Sequence, residues 1–172
     1  MTLSRHVRRW LALTAAATLL AASAGCASSA TAAVTPPTPS GRVAALCRSL
    51  HGALPQVVDG LKRRATGPAS PYTAAWGDPA VVLRCGTAAP AMLTPGNAHY
   101  NPEADAAEVN GVSWLIEQES GGAYRFTTTD REAWIVVDVP SAYAPQVNPL
   151  TDLAAAINRT VPTTVDPGSG TR

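Results

Sequence analysis

The chain has 172 residues, a length that suits one domain of the commonest size and excludes a two-domain enzyme once termini are set aside. Of its 13 Lys and Arg, three (Arg5, Arg8 and Arg9) lie in a segment patterned as an export signal, so ten cations face 12 Asp and Glu in the remainder, a net charge near −2. Apart from Lys62-Arg63-Arg64 these cations are scattered, and without a basic stripe to displace counterions from phosphates, nucleic acid is excluded as the partner.

Arg5, His6, Arg8 and Arg9 precede an uncharged stretch from Trp10 to Ala24 built of Leu, Ala and Thr, the cationic and apolar regions of a cleaved signal. As a helix this stretch would reach only about 22 Å, short of the roughly 30 Å hydrocarbon core, so it is read as a signal and not a span. It ends Ser23-Ala24-Gly25-Cys26, which resembles a bacterial lipobox, with Ser23 where Leu is usual. Residues 1–25 are therefore expected to be a lipoprotein signal peptide, and Cys26 the lipidated (palmitate-type) N-terminus of a protein held on the outer face of the cell membrane. An ordinary secretory signal cleaved near Ala24 is the alternative, and Arg8-Arg9 hints at twin-arginine export without deciding between routes. With Cys26 acylated, Cys47 and Cys85 remain as an even pair in an oxidising compartment and are expected to be bonded, two buried free thiols being the alternative.

Residues 26–40 are mostly Ser, Ala, Thr and Pro and read as a flexible tether; residues 163–172 read as a disordered tail. Between them, 41–162 form a single domain. Ser40 is placed as the cap of a first helix carrying Val43, Leu46, Cys47 and Leu50 on one face, which points Cys47 at the core. Leu54, Val57, Val58 and Leu61 suggest a second short helix from Pro55. Gly67 to Pro71 is a loop, and Val81 to Cys85 a strand with Val81, Leu83 and Cys85 on one face and Arg84 on the other. Ala88 to Asp105 is a long irregular loop.

Val109-Asn110-Gly111-Val112 carries a tight-hairpin signal leading into a strand from Val112 to Gln118. Gly121-Gly122 turns into Ala123 to Thr129, and Asp130-Arg131 into Ala133 to Val139, an antiparallel meander. Asn148-Pro149 opens a last helix with Leu150, Leu153, Ala154, Ile157 and Val161 on one stripe. The expected fold is α+β: a two-layer domain with an antiparallel sheet of about four strands and the N- and C-terminal helices on one face.

Three blocks, Ser70 to Pro79, Leu83-Arg84-Cys85-Gly86 and Val109 to Trp114, resemble a family of actinobacterial exported lipoproteins classed as a domain of unknown function. The likeness runs from about Cys47 to Ile157. It implies the same address and the cysteine pair, and no catalytic residues.

Chemistry is sparse. His51 and His99 are the only histidines beyond the signal, no zinc-type spacing occurs, and no metal or other cofactor is expected. Glu103, Asp105 and Glu108 fit a solvated acidic loop better than a calcium loop. No nucleophile elbow, phosphate cradle or Ser-x-x-Lys appears. Trp76 beside Asp78 on a turn would suit stacking on a sugar or amide, against the plainer reading of a core plug and a turn cap. Arg84 with Asp138 would be a pair of interest if the second sheet face is covered. Trp114 and Trp134 are expected on opposite faces, so that at least one could serve recognition on an open sheet face, against the plainer reading of core residues.

The leading expectation is a non-enzymatic binding or accessory module of the envelope. It would contact the membrane through its lipid and a partner protein or cell-wall component through the sheet face and the Trp76 to Asp78 turn. Alternatives are an envelope hydrolase using paired carboxylates from Asp78, Asp138 or Glu132, and a structural accessory subunit.

Overall fold

A computed structural model describes residues 31–164. The expected signal segment, Cys26 and most of the expected tail lie outside them. The chain runs β1 (Ala32–Ala33), α1 (Gly41–Ala53), β2 (Val57–Val58), β3 (Leu61–Arg64), β4 (Thr66–Gly67), β5 (Thr73–Trp76), β6 (Val81–Cys85), β7 (Ala106–Val109), β8 (Val112–Gln118), β9 (Tyr124–Thr128), β10 (Ile135–Val139) and α2 (Asn148–Thr160).

The domain is α+β, and its sheet is larger than expected. Eight antiparallel strands run in the order β2-β3-β5-β6-β10-β9-β8-β7, not about four. Two meanders, β2 to β6 and β7 to β10, join along a central β6–β10 pair in which Leu83 faces Val137 and Cys85 faces Ile135. Both helices pack on one face, where Cys47, Leu50, Leu153 and Ile157 meet Leu83, Trp114, Phe126 and Val137 in one core. A disulfide joins Cys47 of α1 to Cys85 of β6, with Cα atoms 5.5 Å apart. It pins the first helix to the centre of the sheet.

The additional strands come from the segment read as a second helix and from Thr73 to Trp76. Val57 and Val58 pair with Lys62 and Leu61 across a two-residue turn in which Asp59 (φ 48°) and Gly60 (φ 74°) are both left-handed. Asp-Gly is the favoured pair for that turn, whose twist matches a hairpin and which an α-helix cannot contain. β5 lacks alternation because all four of its residues are buried.

The tether reading also changes for its described part. Ala32 and Ala33 pair in parallel with Thr66 and Gly67. Ala32 N donates to Ala65 O at 2.9 Å and Val34 N to Gly67 O at 3.0 Å, while Ala32 and Val34 pack on Ala75 with Ala80 and Val82 beside them. Small side chains let this stretch lie flat on the sheet face opposite the helices, and one apolar Val suffices to seat it. At the other end, Thr163 bridges Arg131 and Thr164 N donates to Asp130 O, so the first two residues of the expected tail lie on the domain.

Gly86 marks where the N-terminal stretch presses closest. At φ 86° it occupies a conformation glycine favours, and a Cβ there would sit 2.6 Å from Pro39 Cβ. Gly86→Ala is therefore expected to cost about 2 kcal/mol and to lift the segment before α1 off the domain. Urea denaturation and protease cleavage ahead of Gly41 read both effects; a variant as stable and as resistant as the parent would contradict the contact.

Candidate functional site

The turn singled out in the sequence is occupied in bracing the fold. Trp76 is fully buried at the end of β5, and its indole Nε1 donates to Pro55 O at 3.1 Å. Gly77 N donates to Lys62 O, Arg64 donates to Gly77 O at 2.7 Å, and the Tyr143 hydroxyl donates to Pro79 O at 2.6 Å. Asp78 projects outward with its side chain 82% exposed and pairs with Arg64 at 3.0 Å. Trp114 is also fully buried on the helix side, its Nε1 finding no acceptor among the described residues. Neither indole offers a ring face to a ligand, so both are core residues here and not recognition residues. Trp134, just before β10, is half-buried and its carbonyl accepts from Gly86 N.

The remaining candidate, Arg84, lies on the opposite face and belongs to a charged cluster. Period-two geometry turns Arg84 of β6, Asp138 of β10, Arg125 of β9 and Glu117 of β8 away from the helices. Asp138 accepts from Arg84 through one oxygen and from Arg125 Nε at 2.8 Å through the other. Arg125 reaches Glu119 with a second nitrogen at 2.9 Å. The side chains of Arg84 and Asp138 are 23% and 28% exposed, so this chain is half desolvated but reachable from solvent. The stretch leaving β6 lies along it: Thr87 and Pro90, with Arg84, Glu117, Arg125 and Val136, line an open groove of about 460 Å³. That volume is within the range of small-ligand sites.

Electrostatics distinguish the members. Burial opposes the Arg125 charge, but the Asp138 hydrogen bond and the Asp138, Glu119 and Glu117 charges outweigh it and raise its pKa. Burial pushes the Glu117 carboxyl above its usual range; Arg125 pulls it down, and the Glu119 and Asp138 charges push it up again. A carboxyl raised in the folded state holds more protons than in the unfolded state. Its penalty is absent below the unfolded pKa and grows as pH rises through the folded value. Glu117→Gln is accordingly expected to be more stable than the parent at pH 7, with the difference vanishing below about pH 4. Urea denaturation at both pH values checks this, and a variant less stable at pH 7 would refute it.

The carboxylates considered for acid–base work are held apart from one another by partners. Asp78 pairs with Arg64, Asp138 with Arg84 and Arg125, and Glu132 with Arg42, whose hydrogen bond holds the Glu132 carboxyl below its usual range. Among the described residues no three His, Cys, Asp or Glu side chains gather as metal ligands. Also among them, no helix is long and apolar enough to cross a membrane.

Fold and groove together define an α+β domain of two helices on a large antiparallel sheet, with a charged recess on the sheet face away from the helices. The chain belongs to the family described as Protein of unknown function (DUF3515), whose model matches residues 7–165. No curated protein and no solved structure matches it.

Proposed function

We propose that this protein is a lipoprotein of the cell envelope, anchored through Cys26 on the extracytoplasmic face of the cell membrane. Its role in this reading is that of a binding or accessory module whose contact surface is the Arg84–Asp138–Arg125 groove. The observation that carries the binding role is the chain of ion pairs left reachable from solvent in a recess. Half-desolvated ion pairs contribute little net stability where an apolar set would pack as well, so a cluster of them kept within reach of solvent favours a role in recognition. Its mixed signs suit a partner bearing both charges, such as a peptide segment of an envelope protein or of the cell wall. The hydrolase alternative has less support, because both oxygens of Asp138 are taken by arginines and Asp78 and Glu132 sit elsewhere, each on its own arginine.

Two measurements test the reading. Mass analysis of the membrane-extracted N-terminus should find acyl chains on Cys26, and Cys26→Ser should release the protein from the membrane; an unmodified thiol removes the anchor. For the groove, a photoreactive residue replacing Ala88 should capture a defined partner in intact cells, and the Arg84→Gln, Arg125→Gln double variant should lose that partner while staying folded by circular dichroism. Equal capture by the double variant removes the groove from the proposal.

A further inference from the structure

A second open recess, of about 720 Å³, lies between the end of α1, the β3–β4 strands and the 69–74 segment, and shares no residue with the Arg84 groove. His51, Arg63, Arg64, Thr66, Ser70 and Thr73 are on its wall, and no Asp or Glu lines it. Arg63 is its distinctive group. The guanidinium lies 5.8 Å over the Trp76 ring, donates a long 3.4 Å bond to Leu54 O and places Nη2 3.0 Å from His51 Nε2. An arginine can only donate, so Nε2 accepts and the His51 ring is neutral with its proton on Nδ1. Burial, then the Arg63 charge, push the His51 pKa down, which keeps it so, and burial pushes Arg63 down as well.

Among the described residues Arg63 has no carboxylate partner. Arg131 feels the neighbouring Asp130 charge, and its nitrogens are taken up by Val161 O, Gly111 O and the Asn158 side chain, a structural pin for the end of α2. Arg63 has one weak carbonyl contact, a neutral imidazole and an aromatic face. Arg64 on the wall is paired with Asp78 beyond it, and a half-desolvated cation in a recess with no carboxylate among its described lining residues is the complement of an anion.

The recess also has a definite place relative to the N-terminus. Thr66 on its wall pairs with Ala32, and Gly67 lies against Thr31, whose Oγ1 would be 3.2 Å from a Cβ at that glycine. Thr31 is five positions after Cys26, and five extended residues span less than about 20 Å. Because β1 moors the chain at β4, the effective tether is this short piece and not the whole Ser/Ala/Thr/Pro stretch. Taken with the anchoring at Cys26 proposed above, on which this step rests, Thr31 is held within that distance of the bilayer surface, and the cavity wall at Thr66 lies next to it.

We propose that the Arg63 cavity binds the phosphate of an anionic lipid headgroup in the membrane that carries the anchor, fixing the orientation of the domain on that membrane. Hydrogen exchange of the mature, membrane-extracted protein in lipid nanodiscs tests this. Amides of residues 62–74 should exchange several-fold more slowly in discs containing phosphatidylglycerol than in phosphatidylcholine discs. Arg63→Gln should abolish the difference between the two discs, whatever its exchange in phosphatidylcholine, and Arg63→Lys should retain part of it. If Arg63→Gln proves unstable, the unaltered protein still decides: high salt should weaken the phosphatidylglycerol effect, and a salt-insensitive effect overturns the proposal. Equal exchange in both discs also overturns it. The same protection from inorganic phosphate in detergent micelles, without phosphatidylglycerol responding, reassigns the site to a soluble phosphate and overturns the lipid assignment. Mass analysis of the same preparation separates the two readings: acylated Cys26 with no lipid response sinks only this proposal, whereas an unacylated thiol sinks both.

Discussion

Trp76→Ala is expected to cost about 3–5 kcal/mol, the range for deleting a large buried aromatic. The indole is fully enclosed, its N–H is the hydrogen-bond partner of Pro55 O, and its ring underlies Arg63. Truncation opens a cavity, removes the partner of a carbonyl and leaves a half-buried cation without its aromatic surface, three losses that act in the same direction. Against a net stability of roughly 5–15 kcal/mol for a domain, the variant should be marginal at ordinary temperatures. Trp76→Phe, which keeps most of the ring and loses only the N–H, should fall between. Urea denaturation checks the series; a Trp76→Ala domain within about 0.5 kcal/mol of the parent would show that the residue is not a core element. Loss of binding in Trp76→Ala would therefore report unfolding and not a contact.

Removing the Cys47–Cys85 bond is the second large effect. The bonded residues are 38 apart, and on the chain-entropy account closing a loop of that size restricts the unfolded state by about 4 kcal/mol. Replacing both cysteines with Ala should lower the melting temperature by on the order of 15 °C, and added reductant should bring the parent down to a similar value while leaving the variant unchanged. Because both sulfurs are enclosed, with Cys47 0% and Cys85 1% exposed, reduction should be slow in the native protein and accelerate with denaturant. Identical melting curves for parent and double variant would contradict a stabilising bond.

Much of the second half of the fold was legible. β8 runs over the expected Val112 to Gln118, the Asn110-Gly111 turn has both residues at positive φ, and α2 buries the expected Leu150, Leu153 and Ile157. In α2 one face is solvated and the apolar period is clean, while in β8 the Val112, Trp114 and Ile116 alternation stands out although Leu115 on the other face is also buried. The first half was less readable for two physical reasons. Leu54, Val57, Val58 and Leu61 satisfy helical spacing as well as hairpin pairing, and only Asp59-Gly60 discriminates between them. β5 is covered on both sides, by the helical core and by Val34 with Ala32, and a strand buried twice shows no alternation. The charged groove was half visible. Arg84 and Asp138 stand out as polar residues within apolar strands, but Glu117 and Arg125 join them only through strand register, which single-strand patterns do not encode.

The join between the two meanders bears on how the chain reaches its native state. Neighbouring strands within each half meet through short connections, so each half can zip by local hairpin closure on a microsecond scale. Pairing of β6 with β10 brings together residues as distant as Val82 and Asp138, and its ordering entropy falls due before much of the helix-facing core can form. Closure of that central seam is then the expected rate-limiting event, with two preformed ribbons docking edge to edge as the long 86–105 connection is drawn across the sheet.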